Sequence, residues 1–258
     1  MLTMMYFSPT RTTKKIVSAI GKTFFEKMLC KTNIVDLTPL AVRMRTYSFC
    51  EEDVVIFGAP VYAGRIPPLL LPVLRQVNGN GARAVVVSVY GNRAFDDALL
   101  ETFDLFTEQG FTVCAAGAFI GEHSYSKAVA GNRPDVEDLL AADLFATVAY
   151  EKVKSGTPVR SLIEGNRPYK EYAPSVLSAR KAPVVDAALC VHCGKCIEVC
   201  PVCTIAADLS DRGQCIGCAA CVKFCPRQAR AFDGEDMQRL RMRLEETCRE
   251  RKNPKLFV

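Results

Sequence analysis

The chain has 258 residues, enough for one large domain or for a medium and a small one. Its 49% hydrophobic and 24% charged residues are those of a globular protein with a sizeable core, and a net charge of +5 is too weak to imply nucleic acid as a partner. No apolar run approaches the roughly 20 residues of a membrane span. Met1–Phe7 lacks a basic leader, so a cytoplasmic location is expected. In that setting 13 cysteines argue for metal or redox chemistry rather than disulfides.

In chain order, Leu2–Phe7 is a short apolar run that stops at Ser8-Pro9. From Arg11 the pattern turns helical, with Ile16, Val17, Ile20, Phe24 and Met28 at helix spacing. Thr32–Leu37, Asp53–Phe57, Ala84–Val89 and Phe111–Phe119 are the next strand candidates. Pro68–Gln76, Phe95–Gln109 and Pro134–Lys154 fit helices. The first, third and fourth strands are nearly continuous apolar runs, the mark of parallel strands covered on both faces. The strand–helix alternation predicts an α/β, doubly wound parallel sheet over residues 1–155, with ligands outside the carboxyl ends of its strands. Periodicity weakens over 156–183, which reads as a linker with a short helix around Pro174–Lys181. A smaller unit follows over 184–233. Residues 234–258 read as a charged amphipathic helix, Glu235–Arg251, packed on one of the domains, and a tail.

Residues 190–226 contain an internal repeat. Cys190-x2-Cys193-x2-Cys196-x3-Cys200-Pro201 is followed by Cys215-x2-Cys218-x2-Cys221-x3-Cys225-Pro226. Three thiolates in a tight loop reach three corners of one iron–sulfur cubane, and the fourth, turned away beside a proline, points to another. A zinc knuckle also uses CxxC pairs but not this tandem run. The repeat resembles the bacterial ferredoxins that hold two [4Fe–4S] clusters in a small α+β domain. That resemblance implies one cluster on Cys190, Cys193, Cys196 and Cys225, and a second on Cys215, Cys218, Cys221 and Cys200. Gly194 and Gly217, with small Ala219 and Ala220, let the backbone approach sulfur. Cys203 reads as a small buried residue, or else as a spare thiol for ligand exchange or redox sensing. His192 reads either as a surface residue or as a group that tunes a cluster. Cys30, Cys50, Cys114 and Cys248 read as structural.

The loop after the first strand, Ser8-Pro9-Thr10-Arg11-Thr12-Thr13, runs straight into a helix. Alone it reads either as a capped helix or as a phosphate site, because a helix N-terminus presents free N–H groups beside these hydroxyls and Arg11. Pro60-Val61-Tyr62-Ala63-Gly64 follows the third strand and Tyr90-Gly91-Asn92-Arg93 the fourth. Ser8, Thr10 and Thr13 match the phosphate loop of flavodoxins, while Arg11 and Thr12 replace its usual glycine and asparagine. The resemblance to flavodoxins implies strand order 2-1-3-4-5, FMN held by all three loops, and a flavin ring flanked by the second and third. Tyr62 and Tyr90 are candidates to stack on it, or else ordinary core or surface tyrosines. Gly121–Ser126, after the fifth strand, also borders the expected site.

The whole chain resembles the flavodoxin–ferredoxin fusion proteins of anaerobic bacteria. This implies an electron carrier passing electrons between FMN and two [4Fe–4S] clusters, with redox partner proteins, no catalytic side chain and a possible homo-oligomeric state. The alternative is an FMN-dependent oxidoreductase that reduces a small substrate with cluster-delivered electrons. A third reading is a regulator that senses redox state through its clusters.

Overall fold

Alternation along each strand decides which side chains face which way in the computed structural model, which describes residues 1–177 and 180–258. β1 (Leu2–Tyr6) leads into α1 (Thr12–Met28), β2 (Thr32–Asp36), the short α2 (Leu40–Arg43) and β3 (Val54–Pro60). A 3-10 turn at Pro68–Leu70 precedes α3 (Leu71–Leu74), β4 (Arg83–Tyr90), α4 (Ala98–Glu108), β5 (Thr112–Ile120) and α5 (Val136–Ser155). The strands pair in the order β2-β1-β3-β4-β5, all parallel. This is the doubly wound, flavodoxin-like sheet.

Each central strand feeds two cores. On β3, Val54 and Ile56 face α1 and α5 with Ile16, Ile20, Phe24 and Phe145. Val55, Phe57 and Ala59 face the opposite layer with Leu99, Leu105 and Phe106. Burying one such side chain stabilises the fold by about 1.5–3 kcal/mol, so these runs are apolar throughout. Two small residues bring α1 down onto the carboxyl edge of the sheet. A Cβ at Gly58 would lie 2.3 Å from Val17 Cγ2, and one at Gly121 would lie 2.9 Å from Thr12 Cβ.

The helix expected over Pro68–Gln76 is instead a 3-10 turn and a four-residue helix. Pro72 lacks the N–H that a continuous helix would bond back to the Pro68 carbonyl. The helix expected from Phe95 starts at Ala98, because Asp96 adopts a left-handed backbone (φ 44°). α5 begins where Asp135 and Asp138 form a reciprocal capping box.

The stretch read as a linker lies along this unit. Asp97, 1% exposed, accepts hydrogen bonds from the amides of Asn166 (2.8 Å) and Lys170 (2.6 Å). Arg65 pairs with buried Glu101 (Nε–Oε2 2.8 Å, Nη2–Oε1 2.7 Å), and its guanidinium lies over the rings of Tyr169 and Tyr172. Of the helix expected around Pro174–Lys181, Pro174–Leu177 is helical (α6), while Ser178 and Ala179 lie outside the described residues.

The cysteine segment sits between the two strands of a small antiparallel ribbon, β6 (Val184–Val185) and β7 (Arg230–Ala231). Each cysteine run contains a four-residue helix, α7 (Lys195–Glu198) in the first and α8 (Ala220–Lys223) in the second. The repeat extends to the backbone. Left-handed residues recur 25 positions apart, at His192 and Gly217, Gly194 and Ala219, and Cys203 and Gln228. After the ribbon come α9 (Glu235–Thr247) and β8 (Lys255–Phe257). β8 adds antiparallel to the free edge of β5 and makes a six-stranded sheet. No described helix is long and apolar enough to cross a membrane.

Candidate cofactor sites

Beyond the carboxyl ends of β1, β3, β4 and β5 lies a cavity of about 360 Å³. Ligand pockets run from about 300 to 1,000 Å³. Of the residues expected to hold FMN, Ser8, Thr10, Thr12, Thr13, Pro60, Val61, Tyr62, Ala63, Tyr90, Gly91 and Arg93 line it. Arg11, Gly64 and Asn92 do not. Arg11 reaches across to the cysteine segment, its guanidinium 4.5 Å from the Phe224 ring centroid. Gly64 (φ 90°) has no room for a side chain, since a Cβ there would lie 2.2 Å from Asp96 Oδ2. Asn92 is buried and donates to the carbonyls of Cys248 (2.9 Å) and Glu250 (2.8 Å), anchoring the segment after α9.

The first loop is shaped for an anion. Ser8 Oγ accepts the amide of Lys14 (2.9 Å), and its carbonyl accepts the amide of Arg11 (3.1 Å). The first helical amides, at Thr12 and Thr13, have no intrahelical acceptor. Thr13 Oγ1 has no hydrogen-bond partner among the described residues, although Thr13 is only 1% exposed. An orphaned buried hydroxyl costs about 1–3 kcal/mol, and a phosphate oxygen would satisfy it. The loop fits the phosphate of FMN.

The second loop is a tight turn in which Tyr62 and Arg65 exchange both backbone hydrogen bonds. Tyr62 is half-buried. Burial first, then the neighbouring Cys218, Tyr125 and Cys215, push its phenol well above the usual range. Tyr90 is 4% exposed and packs on Phe95 (centroids 5.6 Å apart), so it serves both the core and the cavity wall. From the loop after β5, burial and then the charge of Arg93 push the His123 imidazole down to about 4. Its Nδ1 accepts the Tyr125 amide (3.2 Å), so the ring proton of this neutral histidine sits on Nε2.

The roof of the cavity comes from outside the sheet unit. Lys170, Val176 and Arg180 line it from the stretch read as a linker, and Leu240 and Leu244 from α9. The Ile216–Gly217 pair, between Cys215 and Cys218, lines it too. Tyr125 Oη donates to the Gly217 carbonyl (2.8 Å) and accepts from Arg180 Nη1 (2.9 Å). Sequence reasoning missed these roof residues; Gly217 alone carried a local signal, as a glycine between two ligand candidates. Further bonds join the two units. Arg43 Nη2 donates to the Pro201 carbonyl, and Lys223 pairs with Glu122 (2.8 Å).

The cysteines fall into two groups. Cys190, Cys193, Cys196 and Cys225 line one cavity. Cys215, Cys218 and Cys221 are buried, and Cys200 acts on all three electrostatically. Burial, then the other thiols, pushes Cys218 and Cys221 up to about 12. Amides point at sulfur at equivalent places, from Thr204 to Cys200 (3.4 Å) and from Ala229 to Cys225 (3.2 Å). Such donors suit the charge of a cubane. Among the described residues no three His, Cys, Asp or Glu side chains converge on a single metal ion. Cys203 is exposed, against expectation. It occupies the left-handed turn after the first run, as Gln228 does after the second, and that turn faces solvent. Cys50 is also exposed, while Cys114 and Cys248 are buried.

Residues 182–226 match the family model of the 4Fe-4S dicluster domain. No curated protein matches the chain. Among solved structures, it is similar to the rubredoxin oxygen:oxidoreductase of the anaerobe Desulfovibrio gigas, with 16% identity and TM-score 0.44, over 60% of this chain and 36% of that one. It is also similar to an archaeal flavodoxin (17%, TM-score 0.40, 60% and 99% covered) and to oxidised flavodoxin 1 from Bacillus cereus (18%, TM-score 0.43, 58% and 97% covered). Strand order and register, not these similarities, carry the fold. The chain joins a flavodoxin-like sheet to a segment matching an iron–sulfur domain.

Proposed function

We propose that the protein is an electron-transfer iron–sulfur flavoprotein that passes electrons between FMN and two [4Fe–4S] clusters. When bound, FMN exchanges one or two electrons and each cubane one, so the cofactors supply the redox chemistry. The chain supplies position. Ser8, Thr12 and Thr13 hold the phosphate. Tyr62 and Tyr90 flank the flavin ring, and neutral His123 offers an Nε2 proton nearby. The eight repeat cysteines hold the clusters in the crossed pattern.

The observation that carries this reading is the shared wall of the cavity. The Ile216–Gly217 pair that lines the expected flavin site is the peptide between two expected ligands of the second cluster. Flavin and cluster would therefore be separated by one layer of backbone.

A second reading, an FMN-dependent oxidoreductase acting on a small substrate, draws support from Arg93, Lys170 and Arg180, three cations that line the same cavity. The deciding experiment is FMN, iron and sulfide content per chain after anaerobic purification, followed by stopped-flow reduction. About one FMN and about eight irons, with flavin and clusters reduced in linked phases, is the expected result. Iron without flavin would sink the flavoprotein reading. Strong selectivity among small acceptors would favour the oxidoreductase.

A further inference from the structure

The internal repeat is close to exact in backbone but not in side chains. Arg230 follows Cys225 by five residues, and its counterpart 25 positions earlier is Ile205, five residues after Cys200. Both are buried, at 4% and 2% exposure. One half of the repeat therefore places a guanidinium where the other has a hydrocarbon.

The surroundings of Arg230 are unusual for a buried cation. Its Nη1 donates to the Pro183 carbonyl (2.7 Å) and its Nη2 to the Leu209 carbonyl (3.1 Å). Asp211 feels its field, and so does Cys221 of the other thiol group, but Asp211 is bonded to the Ala182 and Gly213 amides and the Thr204 hydroxyl. Nε of Arg230 has no partner among the described residues. The side chain lines the cavity bounded by Cys190, Cys193, Cys196 and Cys225. A buried charge is costly without a counter-charge, and a buried N–H is costly without an acceptor. A cubane on four thiolates is a net anion with sulfur acceptors and supplies both.

We propose that Arg230 is a positioning residue for the first cluster. Its Nε–H donates to sulfur of the cluster on Cys190, Cys193, Cys196 and Cys225, and its charge stabilises the reduced state of that cluster over that of its twin. Reduction adds one electron and makes or breaks no bond, so the extra negative charge is what the guanidinium favours. Hydrogen bonds to sulfur and local charge are known levers on cluster potential. The second cluster, whose ligand loop walls the flavin cavity, has Ile205 in the equivalent place. An electron leaving the flavin would thus run downhill from the second cluster to the first.

This inference rests on the two-cluster reading, and the test separates the two. Iron and sulfide are assayed first in wild-type, Arg230→Lys and Arg230→Ile proteins. Both clusters are then titrated with dithionite under EPR. In Arg230→Ile the ratio of reduced to oxidised first cluster should fall at least tenfold at fixed potential, a shift of about 59 mV. The second cluster should move less, and Arg230→Lys should recover part of the shift. Full iron content with unmoved potentials, or equal shifts in both clusters, would overturn the proposal and leave the two-cluster reading intact. Wild-type protein without eight-iron stoichiometry would remove its premise. If the variants do not assemble clusters, pulsed EPR of reduced Arg227→Lys protein labelled with [15N]arginine decides, since Arg227 is the other arginine lining this cavity. A nitrogen coupling from arginine is expected, and its absence overturns the proposal.

Discussion

Replacing Arg65 by Met would remove one partner of a buried ion pair and leave Glu101, whose side chain is 3% exposed, as an uncompensated charge. Breaking such a pair from one side costs about 3–5 kcal/mol. Glu101 would keep the Ile66 amide (3.2 Å) and the Tyr172 hydroxyl (3.3 Å), which argues for the lower end. The lost contacts with the Tyr169 and Tyr172 rings, centroids 4.8 and 4.3 Å away, add about 1 kcal/mol. The expected total is therefore about 3–4 kcal/mol. The assay is urea unfolding by circular dichroism at matched cofactor loading, with hydrogen exchange at the Asn166 and Lys170 amides to show whether the roof stretch loosens first. The double variant Arg65→Met/Glu101→Leu should regain about 2 kcal/mol or more, because neither charge is then stranded. A single variant costing under about 1 kcal/mol, the range of exposed pairs, would refute this reasoning. So would a double variant no more stable than the single.

Other perturbations give distinct readouts. Thr13→Val removes an orphaned hydroxyl, so it should leave apo-protein stability unchanged or slightly raised while weakening FMN binding about tenfold or more in a fluorescence titration. Unaltered affinity would place the phosphate elsewhere. Cys225→Ser should cut iron from about eight to about four per chain by removing the cluster on Cys190, Cys193 and Cys196, and loss of the cluster on Cys215, Cys218 and Cys221 instead would contradict the crossed ligand pattern. His123 binds its proton less readily when folded (about 4) than its ordinary value of 6.5. Its contribution to stability is therefore whole above pH 6.5 and is lost as pH falls towards 4, by no more than about 3 kcal/mol. His123→Gln should flatten that limb, and NMR titration of the ring at an ordinary pKa would contradict the burial argument. Asn92→Ala should cost about 1–3 kcal/mol and release the segment after α9 to proteolysis; equal protection would show that the anchor lies elsewhere.

Local pattern made much of the molecule legible. The apolar runs of β1, β3 and β4 declared a sheet covered on both sides, and Ser8–Thr13 declared a helix start with free donors. The cysteine spacing declared its own chemistry, because ligand geometry is set within a few residues. What stayed hidden depends on contacts between distant residues. Nothing near Arg43 signals Pro201, 158 positions away, and nothing near Gly217 signals Tyr125. The docking of 163–172 was hidden for the same reason, since its partners Arg65, Asp97 and Glu101 lie far from it in sequence. β8 was hidden because three residues are too few to show a period. Arg230 becomes conspicuous only once the backbone repeat aligns it with Ile205.

The edge strand β8 ties assembly of one unit to the other. In sequence, the cysteine segment is an insertion: the chain leaves the sheet after β5 and α5, builds the iron–sulfur unit, and returns to pair Lys255–Phe257 with Ala116–Ala118. The iron–sulfur unit is held at both of its ends, not swung from one hinge. A protein cut before residue 255 would expose the β5 edge, and an unpaired edge strand is a template for aggregation. During synthesis the sheet is not closed until every cysteine of the repeat has been made. Misassembly of the clusters would then be felt at a sheet edge that touches none of them.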